Sequence, residues 1–161
     1  MTDAHVEIEL LTLEGVRLGE LVDEFSELLS TEDSDDAALA RLSPVAYPDD
    51  DDAAREFAET TRDDLTTRRL ADAAVVRQNL QSFRDLPTEL TEAQALQVHT
   101  VMLAARDVEP WLRTLNGIRL VLASRLGIEN DDDHDVDDPR FGVYDWLGYR
   151  LELLIEASDP A

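Results

Sequence analysis

The sequence predicts a mainly α-helical fold of about five helices in one compact domain, residues 1–161, with a minor two-stranded antiparallel β-ribbon. Apolar residues recur at helical spacing in several long segments, whereas the alternation typical of strands is confined to short stretches. No internal repeat and no convincing linker divides the chain. A chain of 161 residues can bury roughly two-thirds of its unfolded surface in one core.

The first predicted element is a strand within residues 5–13. Val6, Ile8 and Leu10 alternate with glutamates, so the apolar side chains share one face of the strand. The alternation breaks near Leu11, and we expect the strand to end there.

The first predicted helix runs from Val16 to Leu29, where the apolar spacing becomes helical. Its apolar face consists of Leu18, Leu21, Val22, Phe25, Leu28 and Leu29. A short helix is predicted around Ala37–Leu42, ending before Pro44 because proline disfavours helical geometry in the residue that precedes it.

A long helix is predicted from the acidic run Asp49–Asp52, whose charges suit a helix N-terminus, to Phe83. Its apolar stripe consists of Phe57, Thr61, Leu65, Ala73, Val76 and Leu80. Arginines and aspartates are interleaved along the same helix, and this mixture of charges indicates an exposed, salt-bridged face rather than a nucleic-acid surface.

A second strand is predicted at residues 98–103, which are β-branched and apolar. Its expected partner is the N-terminal strand, because a lone strand leaves backbone groups unpaired. The next helix is predicted from Asp107 to Leu126, with Gly127 as its C-terminal cap.

The last predicted helix starts at Asp138 as N-cap, with Pro139 in its first position, and reaches about Ala157. The stripe expected to face the core consists of Phe141, Tyr144, Leu147, Leu151, Leu154 and Ile155. That arrangement leaves Trp146 and Tyr149 as the rings most able to meet a partner.

Composition restricts the partners. Asp and Glu number 37 against 14 basic residues, all arginine, which gives a formal net charge of -23. Such a field repels nucleic acids and anionic membranes, so we predict neither as a partner. The chain has no cysteine, no apolar run long enough for a membrane span and no recognisable targeting signal, which favours a cytoplasmic location.

No motif assigns a reaction. The aspartates of the loop 131–138 resemble calcium ligands, but Val136 stands where an EF-hand needs glycine, and Gly142 where it needs glutamate. The histidines are far apart in sequence, and His5 and His99 would meet only through strand pairing. We therefore predict no catalytic residue, metal or cofactor, while catalysis by scattered carboxylates stays open.

One polar cluster has two interpretations. Asn116 and Arg119 lie one turn apart among apolar residues of a predicted helix, and Asp145 of the last helix is the expected acceptor for Arg119. The cluster is either a structural pair that docks the last two helices, which we favour, or a binding site for a carboxylate or phosphate.

Three sequence blocks resemble a family. They are Ala46-Tyr47-Pro48-Asp49 with Glu56, Phe57, Asp64 and Leu65; Trp111-Leu112-Arg113 with Leu115, Asn116, Arg119, Leu120 and Arg125-Leu126-Gly127-Ile128; and Tyr144-Asp145-Trp146-Leu147-Gly148 with Glu152 and Leu153. In this order and spacing they resemble the actinobacterial family DUF2017. The chain departs from it at Gly117, where relatives often carry an acid.

The resemblance implies no activity, because the family has none assigned. It does imply a genomic neighbourhood beside the gene for an adaptor of the Clp protease. We therefore expect a non-catalytic regulatory or interaction protein linked to Clp-dependent proteolysis, with Trp111, Trp146 and Tyr149 as the partner surface. The alternative is a small-molecule or anion-binding protein, or an enzyme, with a pocket near Asn116, Arg119 and Asp145. A homo-oligomer is compatible with either.

Overall fold

The computed structural model describes residues 4–31, 42, 51–87, 89–128, 134–135 and 137–159, and within 51–62 only the side chains of residues 52, 53 and 56. In chain order the elements are β1 His5–Leu11, α1 Thr12–Ser30, α2 Asp51–Asn79, α3 Glu92–Ala95, β2 Val98–Ala104, α4 Val108–Leu126 and α5 Gly142–Ser158. Short 3-10 turns cover Gln81–Phe83, Ala105–Asp107 and Pro139–Phe141. The predicted fold class, five helices with a two-stranded antiparallel sheet, is confirmed.

The two strands pair as predicted, with His5 opposite Ala104 and Leu11 opposite Val98. Apolar side chains alternate onto the face that packs against the helices. Leu10, Val101 and Leu103 are buried there. The opposite face carries exposed polar and apolar side chains, so one face of this small sheet is covered and the other faces solvent.

Helix α1 begins at Thr12, earlier than the predicted Val16. The side chain of Glu14 accepts a hydrogen bond from the Leu11 amide at 2.9 Å, which supplies the cap that the apolar Leu11 side chain cannot. Gly15 lies directly against the Phe83 ring, so any larger side chain there would collide with it.

Helix α2 follows the predicted long helix but ends at Asn79, and a 3-10 turn continues the chain to Phe83. Ala73, Val76 and Leu80 of the predicted stripe are buried. Phe57 and Thr61 also belong to the predicted stripe, but their side chains lie outside the described residues.

Helix α4 is central, because it packs against α2 on one side and α5 on the other. Its buried residues include Trp111, Leu115 and Ile118. A Cβ at Gly117 would approach the Phe25 ring of α1 to 2.7 Å, so glycine allows the two helices to come this close. Gly127 ends α4 with φ 73, as a left-handed C-terminal cap.

The last helix has a 3-10 turn at Pro139–Phe141 before α5, and Asp138 caps it by accepting from the Arg140 amide at 3.0 Å. Tyr144, Leu147 and Leu154 are buried as predicted. The prediction for Ile155 is wrong, since 54% of it is exposed. It adjoins Leu154 in sequence, and that offset turns its side chain away from the face that α4 and β1 cover.

Several predictions lie outside the described residues. These are the short helix around Ala37–Leu42, except for the buried Leu42, and most of the acidic loop 131–138. In the part of the chain that the structure describes, no helix has the length and apolarity needed to cross a membrane.

Candidate functional site

A charged cluster joins the start of α1 to α5. Glu14 Oε2 accepts from Trp146 Nε1 at 2.6 Å and from an Arg150 guanidinium nitrogen at 2.6 Å. A second guanidinium nitrogen of Arg150 donates to the backbone carbonyl of Glu9 in β1 at 2.8 Å. The cluster of Glu14, Trp146 and Arg150 therefore fixes α5 against both α1 and β1.

The ionised form of Glu14 is stabilised by these contacts. Burial raises the pKa of the Glu14 carboxyl, but hydrogen bonds from Arg150, the Leu11 amide and Trp146 outweigh burial, and the pKa lies below its ordinary value of 4.5. The charge of Arg150 acts in the same direction. Glu14 is thus an ionised carboxylate with partners on two other elements, β1 and α5, and it is not a proton donor near neutral pH.

The outer edge of β1 is open next to this cluster. The Thr12 amide bonds to the Gln97 carbonyl and the Ala105 amide to the Ala4 carbonyl, so the even-numbered residues of β1 direct their backbone groups toward β2. The odd-numbered residues direct theirs away. The Glu9 carbonyl is bound by Arg150 and the Leu11 amide by Glu14. Among the described residues, no strand pairs with the backbone of Glu7 or with the Glu9 amide.

A groove of about 600 Å³ lies between this edge and α5. We call it the β1–α5 groove. It lies within the size range of ligand pockets, which are commonly about 300–1,000 Å³. Its lining includes the backbone edge and charged and apolar side chains, among them Glu7, Glu9, Arg150, Tyr149, Leu153 and Ala157.

The three aromatic residues predicted as a partner surface have different positions. Tyr149 is 56% exposed and lines the groove. Trp146 is half-buried and bonded to Glu14. The prediction for Trp111 is wrong in the structure, since only 1% of it is exposed and its ring fills the centre of the core beneath the groove. Its position on the buried face of α4, packed between α5 and the sheet, is what removes it from the surface.

The predicted polar cluster is arranged differently from the expectation. Asp145 Oδ1 lies 2.6 Å from His134 Nε2, and the His134 ring packs edge-on against Tyr144. Arg119 Nε donates to the Tyr144 carbonyl at 3.3 Å, and its guanidinium lies 4.0 Å from the centre of the Tyr144 ring. The two Arg119 contacts join α4 to α5, and they hold the Arg119 guanidinium over a ring rather than open to a ligand.

Asn116 faces a second cavity, on the α2 side of α4. This cavity of about 220 Å³ we call the arginine cavity. Its polar lining consists of Arg68, Arg69, Asp72, Arg113, Thr114 and Asn116. The structure therefore separates Asn116 from the Arg119–Tyr144 stack, and it places beside Asn116 arginines that the sequence reading assigned only to a solvent-exposed helix face.

The two histidines of the sheet, His5 and His99, lie apart from each other. His5 is opposite Ala104, while Nε2 of His99 contacts the Thr12 hydroxyl at 2.7 Å and its ring packs against Phe83. In the described ranges no group of three or more His, Asp or Glu side chains is placed to hold a metal ion.

The relationship of the chain to known proteins is set by one match. The family model described as domain of unknown function, DUF2017, matches residues 1–158. The chain belongs to the DUF2017 family. No curated protein and no solved structure matches it. Membership in the DUF2017 family therefore assigns no chemistry.

Sequence reasoning missed both cavities because each lies between elements that are distant in the chain. A signal existed for the groove, because a two-stranded ribbon necessarily has unpaired edges. A signal also existed for the arginine cavity in the adjacent pair Arg68 and Arg69, whose flanking aspartates suggested ion pairing.

Proposed function

We propose that this DUF2017 protein is a non-catalytic interaction protein that binds an extended segment of a partner protein along the free edge of β1. The observation that supports it is the backbone of Glu7 and the Glu9 amide, which pair with no strand among the described residues and lie beside a groove of about 600 Å³. An extended peptide that adds to a sheet edge gains affinity from main-chain hydrogen bonds and specificity from pockets for alternate side chains.

The charge of the groove selects the kind of segment. Glu7 and Glu9 are exposed on the same face of β1, while Glu14 is already paired with Arg150. Alternate side chains of a strand point to opposite faces, so a bound segment would place every second side chain near these two glutamates. Basic residues at those positions, with apolar residues between them to meet Leu153 and Ala157, complement the lining best.

A second copy of the same chain fits less well. Pairing two β1 edges would bring the Glu7 and Glu9 side chains of both copies together, and like charges across strands are destabilising. The net charge of -23 adds a general repulsion between copies. Charged residues also protect edge strands from aggregation, which is the alternative explanation for these glutamates.

A peptide titration separates these explanations. The probe is a synthetic peptide of alternating lysine and valine, and its control has glutamate in place of lysine. If the peptide binds as proposed, hydrogen exchange of the Glu7 and Glu9 amides becomes slower, and the lysine peptide binds more tightly than the glutamate peptide. Equal binding of both peptides, no added amide protection, or a β1-linked dimer without peptide would each overturn the proposal.

Two matched variants on α5 test the location. Tyr149 and Ile155 are almost equally exposed, 56% and 54%, but only Tyr149 lines the groove. Tyr149→Ala should weaken peptide binding roughly tenfold, as expected for truncating an aromatic contact. Ile155→Ala should leave the affinity unchanged. The same loss in both variants would contradict binding in the groove.

The genomic neighbourhood that the family resemblance implies favours one class of partner. We propose that the segment belongs to a component or substrate of Clp-dependent proteolysis, acting in the cytoplasm. Titration with purified Clp adaptor and protease tests this directly. Absence of binding to those proteins, with the lysine peptide still bound, would remove the Clp partner and retain the interaction site.

A further inference from the structure

The arginine cavity contains guanidinium groups that pair with no carboxylate of the described residues, and a buried hydroxyl group. Arg69 donates to the Leu42 carbonyl, and that carbonyl is uncharged. Within the described residues no carboxylate forms an ion pair with Arg68 or Arg69. Burial lowers the pKa of the Arg69 guanidinium, because loss of water disfavours its charged form.

Asp72, the acid that lines the cavity among the described residues, is already neutralised. Asp72 is buried, and its two oxygens accept from Arg113 at 3.0 Å and 3.5 Å. Arg113 also approaches Glu109 at 3.5 Å, outside the cavity lining. Within the described part of the chain, the positive charges of Arg68 and Arg69 therefore have no carboxylate partner beside this pair, although the overall charge is strongly negative.

Thr114 supplies an independent observation. Its hydroxyl oxygen is buried without a hydrogen-bond partner in the described structure, and the residue is only 2% exposed. A buried hydroxyl without a partner is costly, and such groups are rare in folded proteins. Thr114 lines the same cavity as Arg69, while Asn116 and Arg68 are exposed at its margin.

We propose that the arginine cavity binds a small phosphate-bearing ligand. Guanidinium groups recognise phosphate and carboxylate through paired hydrogen bonds. A phosphate is favoured over a carboxylate because donors come from two helices, α2 and α4, and its oxygens accept from several directions. The volume of about 220 Å³ lies below the usual range for drug-sized ligands, which limits the bound part to a phosphate or a small phosphate monoester.

The proposal is independent of peptide binding in the β1–α5 groove. The two cavities share no lining residue, although both contact α4. Loss of phosphate binding would leave the groove intact, and failure of the peptide experiment would leave the phosphate site untouched.

The experiment measures binding of inorganic phosphate to the whole chain by calorimetry and by thermal unfolding, at constant ionic strength maintained with chloride. Phosphate should raise the Tm in a saturable manner, because a ligand that binds only the folded state stabilises it. Acetate at the same ionic strength should not. Equal effects of acetate and phosphate would overturn the assignment to phosphate, and no saturable effect of phosphate would overturn the site.

Two variants locate the binding. Thr114→Val keeps the shape and removes the unused hydroxyl, and Asn116→Asp adds a negative charge at the exposed margin. Each should reduce phosphate affinity at least tenfold. Gln78→Glu makes the same kind of change at an exposed position of α2 outside the cavity and should have no effect. Undiminished affinity in both Thr114→Val and Asn116→Asp would overturn the proposal.

Discussion

Two partly buried arginines of this molecule, Arg150 and Arg69, differ in what surrounds them. Arg150 is 19% exposed at its side chain and pairs with Glu14, which has the same exposure, at 2.6 Å. Arg69 has a backbone carbonyl as its hydrogen-bond acceptor and lies beside an unpartnered Thr114 hydroxyl. A paired charge of the first kind belongs to the fold, whereas an uncompensated one of the second kind is what a binding site for an anion requires.

Removing the charge of Glu14 should have the largest effect on stability. Glu14→Gln leaves Arg150 without its carboxylate and should lower the free energy of unfolding by about 2 kcal/mol, the size expected for hydrogen bonds to a charged group. Urea unfolding at neutral pH measures the change. Glu20→Gln on the same helix is the control, since the Arg17–Glu20 pair is exposed at 45% and 57% and should contribute less than about 0.5 kcal/mol. Equal losses in the two variants would contradict the structural role of Glu14.

The pH dependence of unfolding tests the same Glu14–Arg150 pair. The pKa of Glu14 is lowered in the folded state, so its contribution is complete above the ordinary value of 4.5 and is lost as the pH falls through the folded value. Because one proton is involved, the slope of the free energy of unfolding against pH should differ between the two proteins by at most about 1.4 kcal/mol per pH unit. The free energies of wild type and Glu14→Gln should therefore converge below pH 4.5. A constant difference from pH 7 to pH 3 would show that the charge of Glu14 is not responsible.

The smallest expected effect has the opposite sign and concerns the arginine cavity. Thr114→Val removes a buried hydroxyl that has no partner, and it should raise the free energy of unfolding by up to about 1 kcal/mol in phosphate-free buffer. Chemical denaturation measures it. Thr12→Val is the matched contrast, because the Thr12 hydroxyl contacts His99 at 2.7 Å and its loss should destabilise. Destabilisation by Thr114→Val would mean that the hydroxyl is used by the fold.

The sequence predicted the elements well because each follows from local pattern. Alternation gave β1, the pairing of two short strands followed from the need to satisfy their backbone groups, and Gly127 correctly marked the end of α4. Ile155 was misplaced because a stripe of helical spacing does not say how much of it the neighbouring elements cover. Its exposure depends on where β1 and α4 lie against α5.

The candidate sites were harder to predict because they depend on contacts between distant residues. Glu14 and Arg150 are separated by most of the chain, and neither stands out among so many charges. Asn116 was singled out as a polar residue on an apolar helix, but the residues that share its cavity include arginines of α2 and not Asp145. Trp111 was misjudged because its ring is buried between α5 and the sheet, and those neighbours could not be read from the helix alone.

Helix α4 forms a shared wall of both cavities. Trp111 and Leu115 line the β1–α5 groove, and Thr114 and Asn116, which flank Leu115 along the chain, line the arginine cavity. Because a helix moves as a rigid rod, a displacement of α4 that widened one space would change the other. Thermodynamic reciprocity then requires that any influence of an anion on peptide affinity be matched by an equal influence of the peptide on anion affinity. One central helix thus gives this small protein the geometry for communication between two opposite faces.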